Sequence, residues 1–263
     1  MKNGMHRQLW RPAVMATLVL ACGSEFSDEE HDLGVTKQLL SMFDYSASST
    51  STATNTNSAT WPLELGFNET VMIGTCGLSD AISDATGNNV IRLKNASGTE
   101  VTSWGVYSPG SGCSSFSRIS YTAPAAGTYT IWAGCASSQS CSGTVSMSKR
   151  KGQITYSAIN TNNAAQNTYN KQYFFNGGEV IRVSTCSNSS YGASVASGDT
   201  VLRLYKQTST TPGYSEVAIN NDAAGCGTAS ELSYTVPMAG YYQVRAGCAG
   251  NSSCNATFTV YVE

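Results

Sequence analysis

Apolar residues along this chain recur with a period of two, the spacing of a strand rather than a helix. Ile181, Val183 and Thr185 alternate with Arg182 and Ser184, Leu202 and Leu204 flank Arg203, and Tyr242, Val244 and Ala246 alternate with Gln243 and Arg245. Alternation of this kind turns one set of side chains into a core and the other into solvent, which marks half-buried strands. About eight such runs per repeat, separated by Gly, Asn, Ser and Pro clusters, predict an all-β chain of two tandem antiparallel β-sandwich domains, jelly-roll-like in form. No long helical stripe competes, and only a brief helix is expected, at residues 36–42. Trp104 and Tyr107 are expected on an edge strand.

The two domains are copies of one unit. Tyr45-Ser-Ala aligns with Tyr156-Ser-Ala, Glu69 with Glu179, Thr75-Cys76 with Thr185-Cys186, and Gly87-Asn-Asn-Val-Ile-Arg-Leu93 with Gly198-Asp-Thr-Val-Leu-Arg-Leu204. Between residues 120–147 and 233–260, 14 of 28 positions are identical without a gap. Length differences fall between the expected strands, as in a duplicated module whose loops have drifted. The division expected is repeat 1 at 43–148, a linker at 149–153 around Lys149-Arg-Lys-Gly152, and repeat 2 at 154–263.

The N-terminus has another character. Lys2, Arg7 and Arg11 precede a nine-residue apolar run, 13–21, that ends at Cys22, the layout of a secretory signal. A run of nine is too short to span a bilayer, which needs about 20 apolar residues. The segment resembles a bacterial lipoprotein signal, which implies cleavage after residue 21, lipidation of Cys22 as the first mature residue, a lipid-anchored polar tether at 22–42, and, with Gly23 following, outer-membrane sorting. An ordinary cleaved signal and a secreted protein are the alternative. Setting aside Lys2, Arg7 and Arg11 leaves 12 basic against 17 acidic groups, net −5, which argues against nucleic acid as a partner.

Cysteine arithmetic agrees with export. Of 9 cysteines, Cys22 stands apart, and the rest form two quartets, Cys76, Cys113, Cys135 and Cys141, then Cys186, Cys226, Cys248 and Cys254, with intervals of 37, 22 and 6 against 40, 22 and 6. An even framework in an exported chain reads as disulfides. Zinc is excluded on chemistry, since neither His6 nor His31 lies in a quartet and no Cys-x-x-Cys pair occurs. Cys135 and Cys141 are expected to face each other across a hairpin, as are Cys248 and Cys254, leaving Cys76 with Cys113 and Cys186 with Cys226.

The second repeat resembles the bacterial pre-peptidase C-terminal (PPC) domain. The resemblance rests on Phe175-Asn-Gly-Gly-Glu-Val-Ile-Arg-Val, Asp199-Thr-Val-Leu-Arg-Leu-Tyr205, Asn221-Asp222 and Ala239-Gly-Tyr-Tyr-Gln-Val-Arg245. It implies an accessory β-sandwich that in some members binds polymer or is stabilised by calcium. The first repeat departs from the pattern, with Asn88-Asn89 for Asp-Thr and Ser108-Pro109 for Asn-Asp.

Neither repeat contains histidine, the usual base for a Ser or Cys nucleophile, so the chain is not expected to be an enzyme. No cofactor is required. Asp199 and Asp222, with amide oxygens from Asn220 and Asn221, are candidates for a calcium ion in repeat 2; the alternatives are that both acids cap turns, or that they form a hydrolytic carboxylate pair. Trp132 falls on the outer register of its strand, where repeat 2 has Arg245, and these two positions mark a candidate binding face, with packing of Trp132 under a loop as the alternative. The function expected is a non-catalytic cell-envelope lipoprotein, held to the membrane by its lipid, whose sandwiches bind an extracellular polysaccharide, envelope or protein partner. A purely structural envelope component and a small secreted hydrolase are the alternatives.

Overall fold

The computed structural model describes residues 42–54, 57–78, 81, 87–105, 116–208 and 213–263. The signal segment, Cys22 and the tether up to residue 41 lie outside the described residues, as do Tyr107 and Cys113; Met42, expected to end a short helix, opens a strand instead. Among the described residues there is no α-helix. The first repeat supplies β1 (Met42–Ser48), β2 (Ala59–Leu65), β3 (Thr70–Gly74), β4 (Asn89–Lys94), β5 (Glu100–Gly105), β6 (Arg118–Thr122) and β7 (Gly127–Cys135). A long strand, β8 (Ser140–Ile159), crosses the repeat boundary. It is followed by β9 (Tyr169–Phe175), β10 (Val180–Ser184), β11 (Ser194–Ser197), β12 (Thr200–Gln207), β13 (Tyr214–Asn220), β14 (Glu231–Thr235), β15 (Gly240–Cys248) and β16 (Ser253–Val262).

Two four-stranded antiparallel sheets, β2-β7-β4-β5 and β9-β15-β12-β13, share one strand order and pack against a common eight-stranded sheet, β14-β10-β16-β8-β3-β6, with β1 added on β8 and β11 on β16. β1 pairs with the first part of β8, Met42 opposite Ser146, and β16 pairs with the second, Ser253 opposite Ile159. One strand therefore closes the first sandwich and opens the second. The linker expected at 149–153 is the middle of that strand. Lys149 is bridged to Val71 on one edge and Val262 on the other, and ladder bonds on both edges keep this polar stretch extended where its composition suggests a loop.

A register shift opposite Val260 and Tyr261 leaves one extra residue, Lys151, in β8. A single extra residue reverses which positions face the core. Val145 and Met147 before it and Tyr156 after it thereby bury on the same face, each in its own hydrophobic core. Gly152, beside the bulge, lets Tyr173 pack closely over the strand: a Cβ there would lie 2.2 Å from the Tyr173 hydroxyl and would force that side chain to move.

The same devices recur in both halves. Thr50 Oγ1 donates to the carbonyl of Cys135 (2.9 Å) and accepts from its N–H (2.8 Å); Thr161 does the same to Cys248, at 2.8 Å in each direction. Arg92 is paired with Glu100, and Arg203 with Glu216. Disulfides join Cys135 to Cys141, Cys186 to Cys226 and Cys248 to Cys254. Cys76 is also disulfide-bonded. The hairpins expected around Cys135–Cys141 and Cys248–Cys254 do not form. β7 and β15 belong to the four-stranded sheets, while β8 and β16 belong to the shared one, so each bridge staples the two layers of a sandwich where the chain crosses between them, with Cα atoms 5.4 and 5.5 Å apart.

β10 also departs from a half-buried strand. Arg182, on the face opposite Ile181 and Val183, is 8% exposed, and Ser184 is fully buried. The stretch after Cys186 covers that face: Ser189 donates to Glu231 and Ser190 pairs with Thr259. It also reaches the first repeat, where Arg118 donates to the carbonyls of Asn188 and Ser189 and the Tyr191 N–H points at the Met72 sulfur. Met72, Leu78 and Tyr261 form a small cluster on this back face of the shared sheet, across the seam between the repeats.

Candidate functional site

The outer faces of the two four-stranded sheets carry the side chains that the core does not use. On β7, Tyr129, Ile131 and Ala133 are buried while Thr128, Thr130 and Trp132 alternate with them, so Trp132 points outward as its register predicts. It is half-buried. The ammonium of Lys94 on β4 lies 3.4 Å from the centre of its ring. Both line a groove of ≈ 460 Å³ together with Thr60, Asn95, Gly98 and Thr128. Hydroxyl and amide groups around a flat ring are the ingredients of sugar recognition: the ring accepts the apolar face of a pyranose and the polar groups take its hydroxyls.

Arg245 does not join Trp132 on one face, because β7 and β15 lie in different sheets. It belongs to the corresponding outer face of repeat 2. There its guanidinium stacks 3.9 Å from the ring centre of Tyr205 and 5.4 Å from that of Tyr214, and its Nε donates to Gln243 Oε1 at 2.8 Å. Gln172 donates to Gln207 across β15 at 2.8 Å, and Phe174 meets Tyr241 edge to face at 5.3 Å. Both rings are largely exposed, Phe174 at 44% and Tyr241 at 51%. Lys94, Tyr205 and Tyr214 escaped the sequence reading; the signal for the first two was the alignment of Leu93-Lys94 with Leu204-Tyr205, which puts them on the outer register beside Trp132 and Arg245.

Asp199 and Asp222 are brought near each other. Burial, and secondarily the charge of Asp222, raises the Asp199 carboxyl above the usual carboxylate range. Asp199 Oδ1 is buried without a hydrogen-bond partner. Asn221 Nδ2 donates to Asp222 Oδ2 at 3.0 Å, and Asn220 Oδ1 accepts from the Glu231 N–H at 3.0 Å. The two carboxylates are of a kind that suits a hard cation, whereas the Asn220 amide oxygen is engaged by the Glu231 N–H and the Asn221 amide is turned toward Asp222 by its nitrogen. No group of three or more His, Cys, Asp or Glu side chains in metal-binding range occurs among the described residues.

No family model matches the chain, and no curated protein matches it. Among solved structures it is similar to the tandem CBM22-1-CBM22-2 domains of Paenibacillus barcinonensis Xyn10C (9% identity, 84% of this chain and 90% of that one, TM-score 0.28). It is also similar to the STIV MCP (9%, 84% and 95%, TM-score 0.27) and to a fucolectin from Morone saxatilis serum (8%, 84% and 84%, TM-score 0.21). Likeness at these scores carries no functional argument.

Proposed function

We propose that the protein is a non-catalytic, PPC-like lipoprotein of the bacterial cell envelope, anchored through Cys22, whose outer sheet faces bind an extracellular polysaccharide. The observation that supports this most is Trp132, a large flat apolar side chain that lines a groove together with threonine hydroxyls and an asparagine amide rather than packing in the core. The test is co-sedimentation of the protein with insoluble polysaccharides, collagen and envelope fractions. Retention on a polysaccharide supports the reading; retention on collagen or envelope protein alone replaces the ligand class, and retention on none of them overturns it.

Calcium held by Asp199 and Asp222, with the Asn220 carbonyl, belongs to the same proposal and would neutralise two adjacent carboxylates. Its test works through linkage. A carboxyl whose pKa is higher in the folded chain than in the unfolded one holds its proton more tightly when folded, so stability falls as pH rises through that interval. Without the ion, Asp199→Asn should therefore raise the melting temperature at neutral pH in the presence of chelator. With calcium added, wild type should melt above the variant. A wild-type melting curve that calcium leaves unchanged removes the ion from the account.

A further inference from the structure

Resting on the reading of the outer faces as polysaccharide sites, we infer that both faces are subsites for an acidic polysaccharide, one that carries carboxylates on its sugar rings. The evidence is an exchange between the repeats. Lys94 and Tyr205 are equivalent positions on β4 and β12, and Trp132 and Arg245 are equivalent positions on β7 and β15. In the first repeat the cation comes from the inner strand β4 and the ring from β7; in the second the ring comes from β12 and the cation from β15. Both positions have changed, yet each face keeps one cation against one ring at the same place on the sheet.

These cations differ from their neighbours. Arg92 and Arg203, two residues before Lys94 and Tyr205, are paired with Glu100 and Glu216 and donate to the carbonyls of Thr52 and Asn163, so they hold loops and strands together. Among the described residues no ion pair joins Lys94 or Arg245 to a carboxylate; Glu100, opposite Lys94 on β5, is held by Arg92 and feels the Lys94 charge as a secondary influence. Glu64, which accepts from Thr128 at 2.6 Å, stands on β2, two strand spacings or about 10 Å from β4. The ring orders each cation in advance, which lowers the entropic cost of pairing it with an anion.

Selectivity for acid follows from what covers the ring. A neutral sugar that stacks on Trp132 or Tyr205 must lift the cation off its ring and brings no charge of its own to receive it. An acidic sugar offers its own carboxylate to the displaced ammonium or guanidinium while its apolar face takes the ring. Because the two sandwiches share β8, the faces are held on one framework, and a single polymer chain that reaches both gains by effective concentration.

The test uses polygalacturonate and the same polymer after its carboxyl groups have been reduced to alcohols. The protein should bind polygalacturonate, and carboxyl reduction should weaken binding at least tenfold. Lys94→Met and Arg245→Met should each weaken it several-fold with unchanged melting temperatures, and the double variant should lose it. Equal affinity for the two polymers, or binding of polygalacturonate that survives the double substitution, overturns the inference and leaves polysaccharide binding intact. Binding to neutral polymers without binding to polygalacturonate overturns it in the same way, whereas binding to no polysaccharide removes the underlying reading as well.

Discussion

Truncating Arg182 to alanine should cost about 3 to 5 kcal/mol of folding stability, the range found when one partner of a buried ion pair is removed. Its guanidinium donates through Nη1 to Glu231 (2.8 Å) and through Nε to Glu263 (3.0 Å). The Glu263 side chain is 2% exposed and that of Glu231 19%, so both carboxylates would be left desolvated without the positive charge between them. Equilibrium unfolding in urea should show a lower midpoint with an unchanged slope. Glu263→Gln should cost less, because Arg182 keeps Glu231. A loss below about 1 kcal/mol for Arg182→Ala would mean that water reaches these acids and that the face is not sealed.

Lys149→Pro should cost about 2 to 4 kcal/mol, from a lost ladder bond and an acceptor left unpaired. Lys149 is one of the positions of β8 with a partner strand on either side, Val71 of the first repeat and Val262 of the second. Its N–H must point to one of two occupied edges, so proline removes a bond whichever edge it is. Its side chain contributes less, since the 3.0 Å pair with Glu69 is largely exposed. The same substitution in a flexible linker would be nearly neutral, and that contrast separates a shared strand from two domains joined by a tether. Thermal unfolding of the variant decides between them.

The alternation of Tyr242, Val244 and Ala246 with Gln243 and Arg245 was legible in the sequence because a strand encodes its faces directly in its period. The duplication was legible for the same reason, and with it the correspondence between β7 and β15. The hairpin reading of Cys135 and Cys141 failed because five intervening residues suit a tight turn or a step from one sheet to the other, and spacing does not distinguish them. Lys149-Arg-Lys-Gly152 looked like a linker because side-chain polarity says nothing about whether the backbone has partners on both edges. β10 looked half-exposed because alternation reports what faces the core and is silent about a loop folded over the other side. Of the proposed binding face, Trp132 was visible from its strand alone. Lys94 was not, since a lone lysine on a strand reads as solvated until the register brings it over a ring.

The claim that the outer sheet face works in recognition rather than packing is tested most directly by Trp132→Ala, measured for both polymer co-sedimentation and thermal unfolding. The account predicts at least a tenfold loss of binding with little change in melting temperature, because Tyr129, Ile131 and Ala133 on the other side of the strand carry the core. A destabilisation of about 3 to 5 kcal/mol, the cost of truncating a buried tryptophan, or polymer binding left unchanged, would contradict it.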